Sequence, residues 1–311
     1  MYIATNEETV SRHNIINIMP QGIRKFMYNV NLDEAEEIRI IQGSPMYIRY
    51  PDGDYFPTTK GVLSKSVQNG IIVLKKHIDE MLERITKSSL YSVKDEIKNG
   101  YITIDGGHRV GITGTAVTEG GDIEFIKNIS AMNIRLASEI IGASDSIIDE
   151  IIKDGIIKNV LIISPPGCGK TTLLRDIARN ISNRGYCVGI ADERCEIAAM
   201  HNGESGFNLG YRTAVLDNCL KSDAMEMLLR SMSPDVILTD ELGTKEDAKA
   251  AFDVLNSGVS VIASAHGRDI KQIMNRTAIR DIMPLFDVII ILSKRNGAGT
   301  IESVIRNGEY D

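Results

Sequence analysis

Nine consecutive residues carry the sharpest chemistry in the chain: Ser164-Pro165-Pro166-Gly167-Cys168-Gly169-Lys170-Thr171-Thr172. Glycines let backbone N–H groups turn inward around a phosphate, and a following helix N-terminus adds partial positive charge. The lysine reaches the outer phosphate oxygens, and the hydroxyl of Thr171 suits Mg²⁺. An apolar run precedes the segment and a helical pattern follows it, the setting such a loop requires. Pro166 through Thr172 are therefore the expected holders of ATP. One residue departs from the usual G-x-x-x-x-G-K-[ST], since Ser164 stands at the first glycine.

A phosphate loop needs an acidic partner. Val236-Ile237-Leu238-Thr239-Asp240-Glu241 supplies an apolar strand ending in two acids. Asp240 is expected to hold Mg²⁺ through water, and Glu241 to orient the attacking water. The second acid is not needed for metal, so the pair favours hydrolysis over binding alone. Two more apolar runs end in polar residues: Tyr186–Ala191 runs into Asp192-Glu193, and Val259–Ala263 into Ser264-Ala265-His266. Open α/β sheets bind ligands where their strands end. Glu193 is accordingly a second candidate acid, with Asp192 beside it near the metal, and His266 a sensor of the γ-phosphate. Phosphoryl transfer also calls for positive charge at the γ-phosphate. Arg230 and Arg212 lie before the Asp240 strand, and Arg109 and Arg135 lie beside glycine turns in the N-terminal half.

The elements that position these residues follow from periodicity. From about Asn159 short Val/Ile-rich strands alternate with helical segments, which implies a parallel sheet covered on both faces. Before that, the pattern is mixed α+β. Helical spacing near Ile15–Tyr28 is followed by strands at Glu37–Ile41 and Met46–Tyr50, then by an amphipathic helix expected over Ser66–Thr86. Strands at Tyr101–Ile104, Arg109–Val117 and Ile123–Ile126 complete this half, and the texture changes after Asn128. We expect an N-terminal α+β domain over residues 1–140 and a P-loop α/β domain over 141–311.

The composition excludes several classes. With Lys+Arg 35 against Asp+Glu 42, the charge of −7 argues against a protein built to grip phosphate backbones. Aromatic residues are 5% and Trp is absent, which weakens a stacking platform for single strands. No nucleic-acid partner is therefore expected. The four cysteines show neither CxxC nor zinc-ligand spacing, so they read as small buried hydrophobes in a reducing compartment. The longest apolar run, around Val288–Leu292, is strand-sized, so no membrane span is expected. MYIATNEETV has neither the basic start nor the apolar stretch of a signal peptide, and a cytoplasmic location follows as an expectation.

Leu228-Leu229-Arg230-Ser231-Met232-Ser233-Pro234-Asp235, running into Asp240-Glu241-Leu242-Gly243, resembles the stretch through the acidic strand of type II and type IV secretion ATPases. The segment at Asp192 matches their acidic box and Ala265-His266-Gly267 their histidine box, while Asp240 stands where those families commonly have Gly. Over nearly the whole chain the similarity is closer to the stage III sporulation AA family of endospore formers. It rests on Glu36-Glu37-Ile38-Arg39-Ile40, Gly43-Ser44-Pro45, Gly100-Tyr101-Ile102-Thr103, Gly106-Gly107-His108-Arg109-Val110-Gly111, Asn133-Ile134-Arg135 and Arg230–Gly243. The resemblance implies a RecA-like P-loop NTPase and a hexameric, Mg²⁺-dependent ATPase at the mother-cell membrane facing the forespore. It implies membrane-embedded channel partners such as stage III sporulation protein AB, and an N-terminal domain that closes over nucleotide with Arg109 and Arg135. Two other readings stay open on the residues themselves: a RecA-like nucleic-acid motor, and a nucleotide-gated ring scaffold with little turnover.

Overall fold

The computed structural model describes residues 15–32, 34–86, 100–137 and 139–307. The chain forms two units, one of Met1–Ser138 with His201–Gly206 and one of Glu139–Met200 with Phe207–Asp311.

The N-terminal unit contains α1 (Gln21–Met27), β1 (Glu37–Ile41), β2 (Tyr47–Tyr50), β3 (Gly53–Pro57), β4 (Leu63–Ser64), α2 (Lys75–Ile85), β5 (Tyr101–Ile104), β6 (His108–Glu119) and β7 (Asp122–Arg135). Its seven strands form one antiparallel sheet in the order β4-β3-β2-β1-β7-β6-β5. Ile38, Ile40, Ile48, Val110, Ile112, Met132 and Ile134 are buried with Ile23 and Met27 of α1 and Ile78, Met81 and Ile85 of α2. That alternation is what a sheet with one covered face requires.

Two expectations about this unit are corrected. The helix read over Ser66–Thr86 begins only at Lys75; Val67–Asn69 is a single 3₁₀ turn. Between them the backbone is extended, because the Met46 amide donates to the Ile71 carbonyl and Val73 exchanges bonds with Gly43 and Ser44. Gly70 permits that approach, since a Cβ there would stand 2.8 Å from Pro45 Cβ. The strand read as ending at Ile126 continues to Arg135. A bulge at Gly114, where a Cβ would lie 2.6 Å from the Lys127 carbonyl, absorbs the break and lets the hairpin run on.

The second unit contains α3 (Ile148–Ile151), β8 (Ile152–Lys153), β9 (Ile156–Ile157), β10 (Val160–Ser164), α4 (Lys170–Asn183), β11 (Val188–Asp192) and β12 (Thr213–Asp217). It continues with α5 (Lys221–Met232), β13 (Val236–Glu241), α6 (Lys245–Asn256), β14 (Ser260–His266), α7 (Ile270–Met274), α8 (Thr277–Arg280), β15 (Val288–Ser293) and β16 (Thr300–Arg306). The sheet order is β12-β11-β13-β14-β10-β15-β16. All neighbours are parallel except β15 and β16. Val160, Ile162, Ile190, Leu238 and Ile290 pack with Leu173, Leu174, Ile177 and Ile181 of α4. Leu161, Ile163, Ala191, Ile237 and Ile289 pack with Met225 and Leu228 of α5 and Ala251 and Val254 of α6. Apolar residues on both faces explain why these strands read as continuous hydrophobic runs. The chain is thus α/β with a RecA-like P-loop unit.

Candidate nucleotide site

Ser164 ends β10, and the turn that follows leads directly into α4. Gly167 and Gly169 both have positive φ, 68° and 87°, values that cost other residues steric strain. Space adds to this at Gly169, whose neighbour is backbone, more than at Gly167, whose neighbour is the movable end of a lysine. A Cβ on Gly167 would lie 2.9 Å from Lys294 Nζ, and one on Gly169 3.0 Å from the Gly299 nitrogen. Ser164 has no positive φ, so this position does not demand glycine. Cys168 is buried beneath the loop, its thiol facing the Pro166 carbonyl.

Lys170 opens α4, and its ammonium donates to the Ser164 carbonyl (3.2 Å), Ser164 Oγ (3.3 Å) and the Pro165 carbonyl (3.3 Å). Burial lowers its pKa, while the nearby charge of Glu241 works against that. Thr171 and Thr172 follow in the first turn of the helix, half-buried. The loop offers two glycines at positive φ, a helix N-terminus and a lysine, so it fits a phosphate chain.

Neighbouring strands bring the other groups to this edge. β14 lies between β10 and β13, with Ser164 paired to His266 and Glu241 to Ser264. An open pocket beside the loop is lined by Pro165, Pro166, His266, Arg268 and Gln272. The register slips between Thr239 and Glu241, leaving Asp240 as an extra residue in a bulge. Asp240 does not stand alone: its carboxylate accepts from Lys221 Nζ at 2.7 Å. The same ammonium donates to the Glu241 carbonyl at 2.6 Å and lies 3.4 Å from Glu193 Oε2.

At the end of β11 the acids divide. Asp192 is fully buried, and its carboxylate accepts the N–H groups of Glu196 (2.8 Å), Ile197 (3.0 Å) and Ala198 (2.8 Å). It shapes the loop after the strand, and its charge still acts on Asp240 at the next strand end. Arg175, from α4, holds the same loop through the carbonyls of Ile197 (2.7 Å) and Glu196 (2.8 Å), its guanidinium 3.5 Å from the Phe207 ring centre. Burial lowers the Arg175 pKa to about 10, which leaves it charged.

Of the arginines expected at the γ-phosphate, Arg212 and Arg230 belong to the second unit and Arg109 and Arg135 to the N-terminal one. Arg230 lies nine residues beyond Lys221 on α5, roughly 13 Å along the axis at helical rise, toward the edge where β13 begins. There it pairs with Glu226 at 3.0 Å, so within this chain it is carried away from the loop. Arg109 and Arg135 are cross-strand neighbours in the N-terminal sheet, and Glu37 is the next in the row. Arg135 pairs with Glu37 at 3.3 Å, and Arg109 lies 5.1 Å over the Tyr101 ring. Arg39 and Arg49 occupy the same face, which the sequence reading did not single out. Burial raises the Glu37 pKa, but Arg39, Asn133 and Arg135 together hold it below the ordinary range. Lys221, Arg175 and Lys294 also escaped the sequence reading. A lysine that opens a helix and an arginine inside one both look like solvent-facing residues until tertiary structure buries them.

A parallel sheet with a glycine-rich loop after one strand, an acid pair two strands away and a histidine between them defines a RecA-like P-loop fold. The fold is similar to that of the Legionella pneumophila ATPase DotB, with TM-score 0.57 and 18% identity, over 88% of this chain and 76% of that one. It is also similar to the pilus retraction motor PilT with bound ADP, with TM-score 0.54 and 15% identity over 83% and 74% of the two chains. The chain belongs to the family described as sporulation stage III, protein AA, which it matches over residues 9–309. It is 40% identical over 232 residues to stage III sporulation protein AA of Bacillus subtilis, covering 72% of this chain and 75% of that protein. It is 26% identical over 284 residues to SEEDLING PLASTID DEVELOPMENT 1 of Arabidopsis thaliana, covering 89% of this chain but 36% of that longer protein.

Proposed function

We propose that the chain is an Mg²⁺-dependent ATPase motor. The observation that carries this reading is the loop Gly167–Thr172 at the head of α4, with Lys170 held against Ser164 and Glu241 close enough to influence its charge. Lys170 faces the β- and γ-phosphates, and the loop amides cradle them. Thr171 offers its hydroxyl to the metal, and Mg²⁺, when bound, neutralises charge on the phosphates. Glu241 orients the attacking water, with Glu193 as the second acid at the same edge. His266 senses the γ-phosphate from the middle strand. Arg109 and Arg135 contribute an anion-facing pair on the N-terminal sheet. Among the described residues no group of three or more Cys, His, Asp or Glu could hold a metal. Magnesium suits such a site, because it takes one or two protein ligands and completes its shell with phosphates and water.

In this reading the motor works as a ring, with six copies as the expected number. It acts at the cytoplasmic face of the mother-cell membrane beside embedded sporulation channel proteins. Among the described residues no helix is long and apolar enough to cross a membrane. Phosphate release by the purified chain, with its size measured with and without ATP and Mg²⁺, tests both parts. Lys170→Ala should abolish ATP binding and turnover while the melting temperature stays within a few degrees. Unchanged affinity and turnover in that variant would overturn the site, and a particle that never exceeds one copy with ATP would overturn the ring.

A further inference from the structure

Lys221 opens a helix of 12 residues, yet its side chain is only 7% exposed. An ammonium has three donors, and here three acceptors surround it: Asp240 Oδ1 (2.7 Å), the Glu241 carbonyl (2.6 Å) and Glu193 Oε2 (3.4 Å). Burial lowers its pKa, while the charge of Asp240, the hydrogen bond to it and the charges of Asp247 and Glu193 together raise it above the ordinary value. A buried ammonium needs a counter-ion of this kind. The bulge at Asp240 makes the arrangement possible. One extra residue lets the Asp240 side chain and the following carbonyl reach the same nitrogen. A single cation therefore ties the end of β11 to the end of β13.

We propose that Lys221 is a positioning residue for the water-orienting acid. By pinning the Glu241 carbonyl and the two neighbouring acids, it fixes where the Glu241 carboxylate stands. Asp240 serves as its internal counter-ion and is not a ligand of the magnesium that accompanies ATP. The inference rests on the ATPase reading above and reassigns one residue within it. It also bears on the crowding of carboxylates at two adjacent strand ends: the ammonium pairs with buried Asp240 and with Glu193, and takes the backbone carbonyl of Glu241.

The test is a Mg²⁺ titration of fluorescent ATP-analogue binding to the full chain, with turnover measured in parallel. Asp240→Asn should leave the Mg²⁺ midpoint within about threefold, while Thr171→Val raises it roughly tenfold or more, the size of effect expected for a metal contact. If Asp240→Asn raises the midpoint as far as Thr171→Val does, Asp240 is a metal ligand and the inference falls. Lys221→Met should lower turnover roughly 10- to 100-fold, with nucleotide affinity in the absence of Mg²⁺ changed by less than about threefold. Lys221→Arg should recover part of that loss. Full turnover in a folded Lys221→Met would overturn the positioning role. Should Lys221→Met fail to fold, Lys221→Met with Asp240→Leu removes both charges. This double variant should melt near the wild type and still turn over slowly, whereas restored turnover would show a purely structural pair. Wild-type protein that binds no ATP would sink the ATPase reading as a whole, an outcome distinct from failure of the Asp240 arm alone.

Discussion

Strands β11 and β13 lie side by side and carry the same dipeptide at their ends, Asp192 with Glu193 just after β11 and Asp240-Glu241 closing β13. In the first pair the aspartate is satisfied by three backbone N–H groups from the loop that follows. In the second it is satisfied by a side-chain ammonium from a helix. Backbone donors shape their own segment, so Asp192 organises a loop. An ammonium on another element couples what it touches, so Asp240 joins a helix to the strand carrying Glu241. Both aspartates are buried, while Glu193 and Glu241 remain partly open. The aspartates thus do the holding, and the proposed ATPase site leaves its chemistry to the glutamates.

The largest expected effect separates the two glutamates. Glu241→Gln should bind ATP normally while turnover falls by roughly 10²-fold or more, the value of a positioned base. Glu193→Gln should cost less than about tenfold on the same scale. Equal losses, or the reverse order, in a phosphate-release assay would erase the distinction between the strand ends. Next comes stability. Asp192→Ala strands the buried N–H groups of Ile197 and Ala198 and the part-buried one of Glu196, and should lower the melting temperature by roughly 10 °C, from about 1–3 kcal/mol for each buried donor left unpaired. Calorimetry showing a shift under a few degrees would mean that the loop finds other partners.

A smaller effect concerns Cys195 in that same loop. Burial, then its hydrogen bond to Asp217 (Sγ to Oδ2 3.3 Å), pushes the thiol up to about 12. Between pH 9 and about 12 the native state keeps a proton that the unfolded chain releases, so stability falls as pH rises through this window. Cys195→Ser does not ionise there and should show a flatter alkaline limb in denaturant melts. The smallest structural effect is expected for Arg135→Ala. Its side chain is 71% exposed, and its ion pair with Glu37 stabilises the sheet little. Melting should move by no more than a few degrees, and slowed turnover would mark an anion-facing role. A badly destabilised variant would mark a structural one.

Much of the phosphate-loop unit was legible in sequence because its signals are local. Glycines before Lys170 and apolar runs at β10, β11, β13, β14 and β15 announce themselves without tertiary contacts. Strands β12 and β16 escaped because they are edge strands of moderate burial and lack the long Val/Ile runs of the centre. The helix over Ser66–Thr86 reads too long because Leu74 falls on the helical phase of Ile78 and Met81, and Ile72 adds an apolar residue just before it. Only the pairing of residues 71–73 with the turn at 43–46 shows that segment to be extended. The roles of Asp192 and Lys221 were illegible for a related reason. Both depend on groups that folding delivers, three amides for one and two strand ends for the other.

The pairing of β10 has a consequence for the order of events in folding. Val160 bonds to neither the preceding nor the following strand but sits between Ile262 and Val288. The strand that carries the phosphate loop therefore waits for segments made far later in synthesis, and closing such long loops is slow. Until β15 emerges from the ribosome, this strand is an unpaired apolar edge with affinity for other strands. A nascent chain stalled before Val288 should accordingly aggregate and fail to retain nucleotide, whereas one stalled beyond β16 should do neither.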